Sequence, residues 1–370
     1  MKPLARRLKG TPSNGRANGE DVLNTPELGS ETSIPPKISQ SAKLYPGDLV
    51  EVKTPGEILP TLDADGALDR LPFMPEMVQF CGRRFRVSQR VFKTCYYTIK
   101  GSAGMRKFRP DDVIILEGVR CSGAEHDGCQ KACLIFWRDA WLRKVEDGTV
   151  HPRVEGDGRE QLRVRLKTST GPKTYFCQAS EILKATDPLS RWERFGKCSD
   201  EVRAGNYSTL QLVQRVGIWL IWKFRRRFWG KFARGDNQST RADPLNLRPG
   251  EQIQVKSLAS ITKTLDEGGH HRGLYFMPAM RLLCGQECRV ERKVEKIIVD
   301  GTGEMRQLRN TVYLEGSLCG CAHVAFGGCP RGEFAYWREI WLRRSAGPDG
   351  QGCTQKAAPE PERKDRPGTS

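Results

Sequence analysis

Six of the chain's thirteen cysteines fall in two short runs, CSGAEHDGCQKAC at 121–133 and LCGCAHVAFGGC at 318–329. Thiolate sulfur and imidazole nitrogen are preferred zinc ligands, held four to a tetrahedron on tight turns. In the first run Cys121, Cys129 and Cys133, with Cys81 upstream, supply four thiols, and His126 is the replacement ligand. In the second run Cys319, Cys321 and Cys329, with Cys284 upstream, do the same. Cys95, Cys288 and His323 lie near enough to be further candidates. Three of the positions recur in step: Cys81/Cys284, Cys121/Cys319 and Cys129/Cys329. The competing reading makes Cys81 and Cys284 buried small hydrophobes. The matched positions favour metal. A four-thiol site has no open position for water, so the zinc expected here is structural.

Catalytic chemistry has little support. The phosphate-cradling, nucleophile-elbow, zinc-protease and dinucleotide patterns G-x-x-x-x-G-K-(S/T), G-x-S-x-G, H-E-x-x-H and G-x-G-x-x-G do not occur. Glu117 and Glu315 occupy matched positions in L-E-G and read as strand-end residues. The Asp63–Gly66 run D-A-D-G lacks the ligand spacing of a calcium loop and reads as a turn.

The elements that must position the cysteines are written twice. Residues 44–87 align without a gap on 247–290, at an offset of 203, with 19 identities in 44 positions. The match resumes at Ile115–Gly118 against Tyr313–Gly316 and closes on W-R-(D/E)-x-W-L-R at 137–143 and 337–343. Chance does not produce that order of matches. Each unit is about 100 residues, the size of a small domain rather than a solenoid repeat. GDLVEVK and EQIQVK alternate apolar and polar residues after a Pro-Gly turn, and DVIILEGV and TVYLEGSL read as continuous apolar strands. Phe85, Val87 and Val91 share one face, as do Val290, Val294 and Ile298. The fold class expected is mainly β: two tandem SH3-like small barrels, each anchored in its core by the closing tryptophans.

The division expected is a disordered tail at 1–40, barrels at 41–148 and 244–346, a linker at 149–243, and a disordered tail at 347–370. Within the linker, QLRVRLKTSTGPKTYFCQA reads as a hairpin and STLQLVQRVGIWLIWKFRRRFWGKF as a helix. That helix is basic. Between Arg203 and Asp243 nine Lys and Arg stand against two Asp, in a chain of net charge +17. Lys223, Arg225, Arg226, Arg227 and Lys231 are interleaved with Trp and Phe, which suits packing of the apolar face on a barrel with the arginines exposed, an anionic membrane surface or protein partner, or nucleic acid. No apolar run approaches the roughly 18 residues of a transmembrane helix. The N-terminal MKPLARRLKG leads into no hydrophobic stretch, so a cytoplasmic protein is expected, peripheral at the inner membrane face where the helix binds lipid.

The string from PGDLVEVK through HDGCQKACLIFWRDAWLRK resembles a group of cysteine-containing two-repeat bacterial proteins with no assigned activity. The resemblance runs along nearly the whole chain and implies architecture, not catalytic residues. The PGDLVEV opening is, separately, similar to SH3-like barrels of the KOW type. The expected function is a non-catalytic binding or scaffolding module that contacts an anionic partner. The alternative is a metal- or thiol-dependent enzyme with a cleft between the barrels, in a biosynthetic pathway. Elemental analysis of protein purified without added metal is expected to find about two zinc equivalents, and Cys121→Ser or Cys319→Ser to lose one each.

Overall fold

The computed structural model describes residues 43–97, 103–146, 158–229, 233–236, 243–320, 326–328 and 330–345. The duplication is visible as two five-stranded sheets of the same order. In the first, Leu49–Val52 lies between Arg84–Arg90 and Leu142–Lys144, and the sheet continues through Val113–Arg120 to Leu134–Arg138. In the second, Gln252–Val255 lies between Glu287–Lys293 and Leu342–Arg344, followed by Thr311–Leu314 and Trp337–Arg338. The fold is mainly strands, in antiparallel sheets that include a half-barrel, with few helices.

The repeated sequence motifs are the parts that meet in space. Trp137, Trp141, Trp337 and Trp341 are all fully buried. A single 3-10 turn, Asp139–Trp141 or Glu339–Trp341, carries each chain from the penultimate strand into the last. Trp141 donates its indole N–H to Thr61 Oγ1 at 3.2 Å, and Trp341 donates to Thr264 Oγ1 at 3.0 Å. Phe73 and Phe276 stand edge-on to those tryptophans at 5.1 and 5.3 Å. The T-L-D and F-M-P identities therefore mark what the closing tryptophan needs: a partner for its polar N–H and an aromatic edge against its face.

The linker is more structured than a connector. QLRVR, which alternation makes a strand, lies in the helix Arg159–Arg165. Leu162 and Leu166, four apart, both reach the first core, whereas Val164 is exposed, so helical spacing decides. The hairpin that follows is shorter than expected, Ser169–Gly171 with Thr174–Tyr175. A second helix, Arg191–Arg203, escapes the apolar periodicity, although its start is signalled by the Ser190/Glu193 capping box. It docks through Glu201, which is buried and paired with the buried Lys93 at 3.1 Å. Asn206, just beyond it, exchanges hydrogen bonds with the Arg90 backbone at 2.9 and 2.6 Å.

The two repeats are not separate bodies; residues 41–370 cluster as one unit. Each reaches into the other. From the first, Gln130 donates its N–H to the Lys296 carbonyl at 2.9 Å, and Cys129 Sγ accepts from the Ile298 N–H at 3.3 Å. From the second, Arg331 donates to the Cys95 carbonyl at 2.8 Å. Ile298 belongs to the first core, while Ala132 packs with Val294, Tyr313 and Phe334 of the second. At the centre Lys131, Asp300, Arg331 and Glu333 are all buried. Asp300 pairs with Lys131 and, at 2.8 Å, with Arg331, and Glu333 pairs with both cations. Burial disfavours the charge on Asp300, but the two cations outweigh it and hold the carboxyl well below the usual range. Removing one member of a buried charge set leaves the others uncompensated. Asp300→Asn is therefore expected to destabilise the chain by about 3–5 kcal/mol, read as a shift in the urea midpoint. A shift under about 1 kcal/mol would mean that water reaches the cluster.

Candidate functional site

The first cysteine run forms a closed loop between Val113–Arg120 and Leu134–Arg138. Cys121 donates its backbone N–H to the Cys133 carbonyl at 2.8 Å, one step beyond the paired Arg120 and Leu134. The loop folds back tightly at Gly123, where φ is +70° and a Cβ would lie 1.9 Å from the Cys129 carbonyl oxygen. Only glycine fits there. His126 at the loop's tip is buried, with both ring nitrogens engaged: Nδ1 with Glu76 Oε1 at 2.6 Å and Nε2 with the Phe176 carbonyl at 2.9 Å. A carbonyl only accepts, so Nε2 carries a proton, and Nδ1 faces a carboxylate. This is the arrangement of an imidazolium.

The thiols around the pair are protonated. Cys121 Sγ lies 3.8 Å from Glu76 Oε1, and burial followed by that carboxylate pushes its pKa far up. Burial pushes Cys133 up to about 12, with Lys131 pulling the other way. Cys177, which no spacing argument singled out, is raised to about 11 by burial. A thiol in that state is a poor nucleophile. Cys81 is buried in the first core, and Cys129 Sγ accepts from the Ile298 N–H of the second repeat.

The second run is only partly described. Cys284 and Cys319 are in no disulfide, and Cys288 is disulfide-bonded, which removes it as a thiolate ligand. Cys321, Cys329 and His323 lie outside the described residues, as does Lys231 of the basic segment. Among the described residues, no group of three or more His, Cys, Asp and Glu is placed to hold a metal ion. Glu76 is the residue that sequence reasoning missed. It sits in the 3-10 helix Pro75–Phe80, and its counterpart in the second unit is Ala279, so the repeat pattern hides it. The one signal was a carboxylate inside the apolar run LPFMPEM.

The basic segment forms the helix Thr209–Trp229, whose 21 residues span about 30 Å. One side packs: Trp219 stands edge-on to Phe326 at 5.1 Å, and Phe326 also meets Phe195 of the preceding helix at 4.8 Å. The opposite side is exposed. Leu210, Val213, Leu220, Ile221, Phe224 and Phe228 fall on one side of the helix at about 100° per residue and form one stripe, with Ile221 68% and Phe228 63% exposed. Arg225 and Arg227 fall on either flank of it, Arg226 and Lys223 behind. Lys223 lies over the Trp219 ring at 4.7 Å and Arg225 over Trp222 at 5.4 Å. The helix contains no Asp or Glu. On the preceding helix Trp192 is 84% exposed and meets Phe195, on the side where Trp219 packs. No described helix is long and apolar enough to cross a membrane.

No family model matches the chain, and neither a curated protein nor a solved structure matches it.

The His126–Glu76 pair makes stability depend on pH. Burial pulls the His126 pKa down, but the hydrogen bond and charge of Glu76 and the Phe176 carbonyl outweigh it, so the net shift is upward from 6.5. A raised folded-state pKa contributes stability that is fully present below pH 6.5 and is lost as pH rises through the folded value. The urea midpoint of the native chain is expected to fall above neutrality through a step that His126→Gln lacks. Identical pH profiles for the two proteins would show that the imidazole is neutral in the fold.

Proposed function

We propose that the chain is a non-catalytic binding module, a tandem pair of SH3-like barrels, that docks on an anionic lipid surface through the helix Thr209–Trp229. The barrel reading is supported by the strand order: a first strand flanked by the second and the last, a meander outward from the second, and a 3-10 turn before the last. Structural zinc is proposed separately, on the cysteines repeated in step, and docking does not depend on it. Burial raises the pKa of Cys121 and Cys133, which lends the thiol-enzyme alternative no support from these two residues.

One observation carries the docking proposal: a solvent-exposed apolar stripe flanked by cations on a helix with no acid. The occupant must be apolar in the middle and anionic at the edges. A second copy of the helix matches the stripe but opposes cation to cation. A nucleic acid matches the cations and aromatics but leaves Leu210, Val213, Leu220 and Ile221 in water. A bilayer with anionic headgroups satisfies both, the stripe entering the acyl boundary and the arginines meeting the headgroups. Each basic residue near such a surface contributes about 1 kcal/mol, and at physiological ionic strength screening acts beyond roughly 8 Å.

The full chain is expected to sediment with vesicles containing phosphatidylserine and not with purely zwitterionic ones, with binding weakened by salt. Replacing Arg225, Arg226 and Arg227 together by Gln removes about 3 kcal/mol of attraction, over a hundredfold in partitioning. Ile221→Ser with Phe224→Ser is expected to weaken binding at all salt concentrations. Equal binding by that double variant would reduce the contact to surface charge alone. Displacement from vesicles by RNA at matched charge, with the apolar variants unaffected, would identify a nucleic-acid surface instead.

A further inference from the structure

Duplication allows one site to be read against its twin. In the first unit Arg138 is buried beneath the sheet and neutralised. It pairs with Asp112 and, at 3.9 Å, with Asp69, and donates to the Asp69 and Arg109 carbonyls, each at 3.2 Å. Its twin Arg338 keeps the contact to the counterpart of Asp69 and trades the other for new partners. It donates to the Arg272 carbonyl at 3.1 Å, to the Arg309 carbonyl at 2.6 Å and to Thr311 Oγ1 at 2.9 Å. The Asp139 N–H bonds the Asp112 carbonyl at 2.9 Å, and the Glu339 N–H bonds Asn310 at the same distance, which fixes the correspondence. Asp69 and Arg272 share a positive φ, 48° and 49°. The Asp69/Arg272 turn and the Asp112/Asn310 backbone bond are thus common to both units.

The side chains differ. Asp69 becomes Arg272, Asp111 becomes Arg309, and Asp112 becomes Asn310. Arg338 is only 7% exposed and, unlike Arg138, has no carboxylate within ion-pair distance among the described residues; the Nε of each has no hydrogen-bond partner. The neighbouring Glu339 is committed elsewhere, accepting from the backbone N–H groups of Leu245, Asn246 and Leu247. Burial first, then Arg272 and Arg306, press the Arg338 pKa down to about 10. Arg272, Arg309, Asn310 and Arg338 line one small cleft with His271, Ile340 and the exposed Asp243, the single carboxylate in the lining.

We infer that this cleft in the second unit binds a phosphate group, whose oxygens take the place that the carboxylates of Asp69 and Asp112 hold around Arg138 in the first. A buried guanidinium without a counter-ion is costly, and a tetrahedral oxyanion bound by several N–H donors relieves that cost. The lining of three arginines and one amide matches the oxygens of a single phosphoryl group, which would enter by displacing the exposed Arg272 and Arg309 side chains outward. That group comes from free phosphate or from a lipid headgroup. The site is independent of the helix Thr209–Trp229 and stands whether or not that helix binds lipid.

The test uses the full chain and inorganic phosphate, by isothermal titration and by thermal melting against chloride of equal ionic strength. Phosphate is expected to bind the native chain and raise its melting temperature. Arg309→Gln, at an exposed position, is expected to weaken binding about tenfold, the effect of one charge-assisted contact. Asn310→Asp restores the first unit's acid. It is expected to raise the melting temperature without phosphate and to abolish the response to it, which separates loss of binding from loss of fold. The triple Gln variant of Arg225, Arg226 and Arg227 is expected to bind phosphate as the native chain does. Vesicles of phosphatidic acid that outcompete phosphatidylserine at equal charge, in an Asn310-dependent way, would assign the group to a lipid; equal competition would assign it to the soluble ion. No stabilisation beyond that of chloride, or an unchanged phosphate response in Asn310→Asp, overturns the inference.

Discussion

Lys131, Asp300, Arg331 and Glu333 meet where the two repeats touch, all four out of solvent. Charges are tolerated in such a place only as a complete set, because each ion's lost hydration is offset by its neighbours alone. That requirement sets the register between the units. Lys131 comes from the first repeat's cysteine loop and Arg331 from the corresponding loop of the second, and both converge on one carboxylate, Asp300. The surrounding contacts follow from the same register: Gln130 on Lys296, Cys129 on Ile298, Arg331 on Cys95. Slippage by one residue would strand a charge. The linker helix Arg191–Arg203 and the exposed helix after it are mounted on the frame so defined, through the buried Glu201–Lys93 pair and Phe326.

Within that frame the two halves kept their packing and changed their chemistry. The four tryptophans, the threonines that accept their N–H groups and the edge-on phenylalanines are the same in both, since a core of that volume tolerates little change. Polar positions diverged. Glu76 pairs with His126 where the second unit has Ala279, Cys133 sits where it has Glu333, and the acids around Arg138 give way to Arg272, Arg309 and Asn310 around Arg338. Each such change moves a charge in or out of a low-dielectric site, so each half came to need a different partner. In the first, His126 and Arg138 have carboxylate partners. The second presents cations.

What the sequence determined by itself is what local spacing and repetition encode: the duplication, the strand alternation, the buried closing tryptophans and the basic helix with its apolar stripe. Periodicity carries these because burial on one face of a strand or helix leaves a linear trace. The Arg191–Arg203 helix was legible only from its Ser190/Glu193 cap, and QLRVR was misread because five residues satisfy both periods. The tertiary structure alone decided which polar groups meet. His126 finds Glu76 fifty residues away and Lys131 finds Asp300 across the two repeats, 169 residues apart. The cysteines matched in sequence proved unequal: Cys129 caps a backbone N–H of the other unit, and Cys81 lies in the core. The energy of a buried charge or thiol depends on distance and desolvation, neither of which is written along the chain.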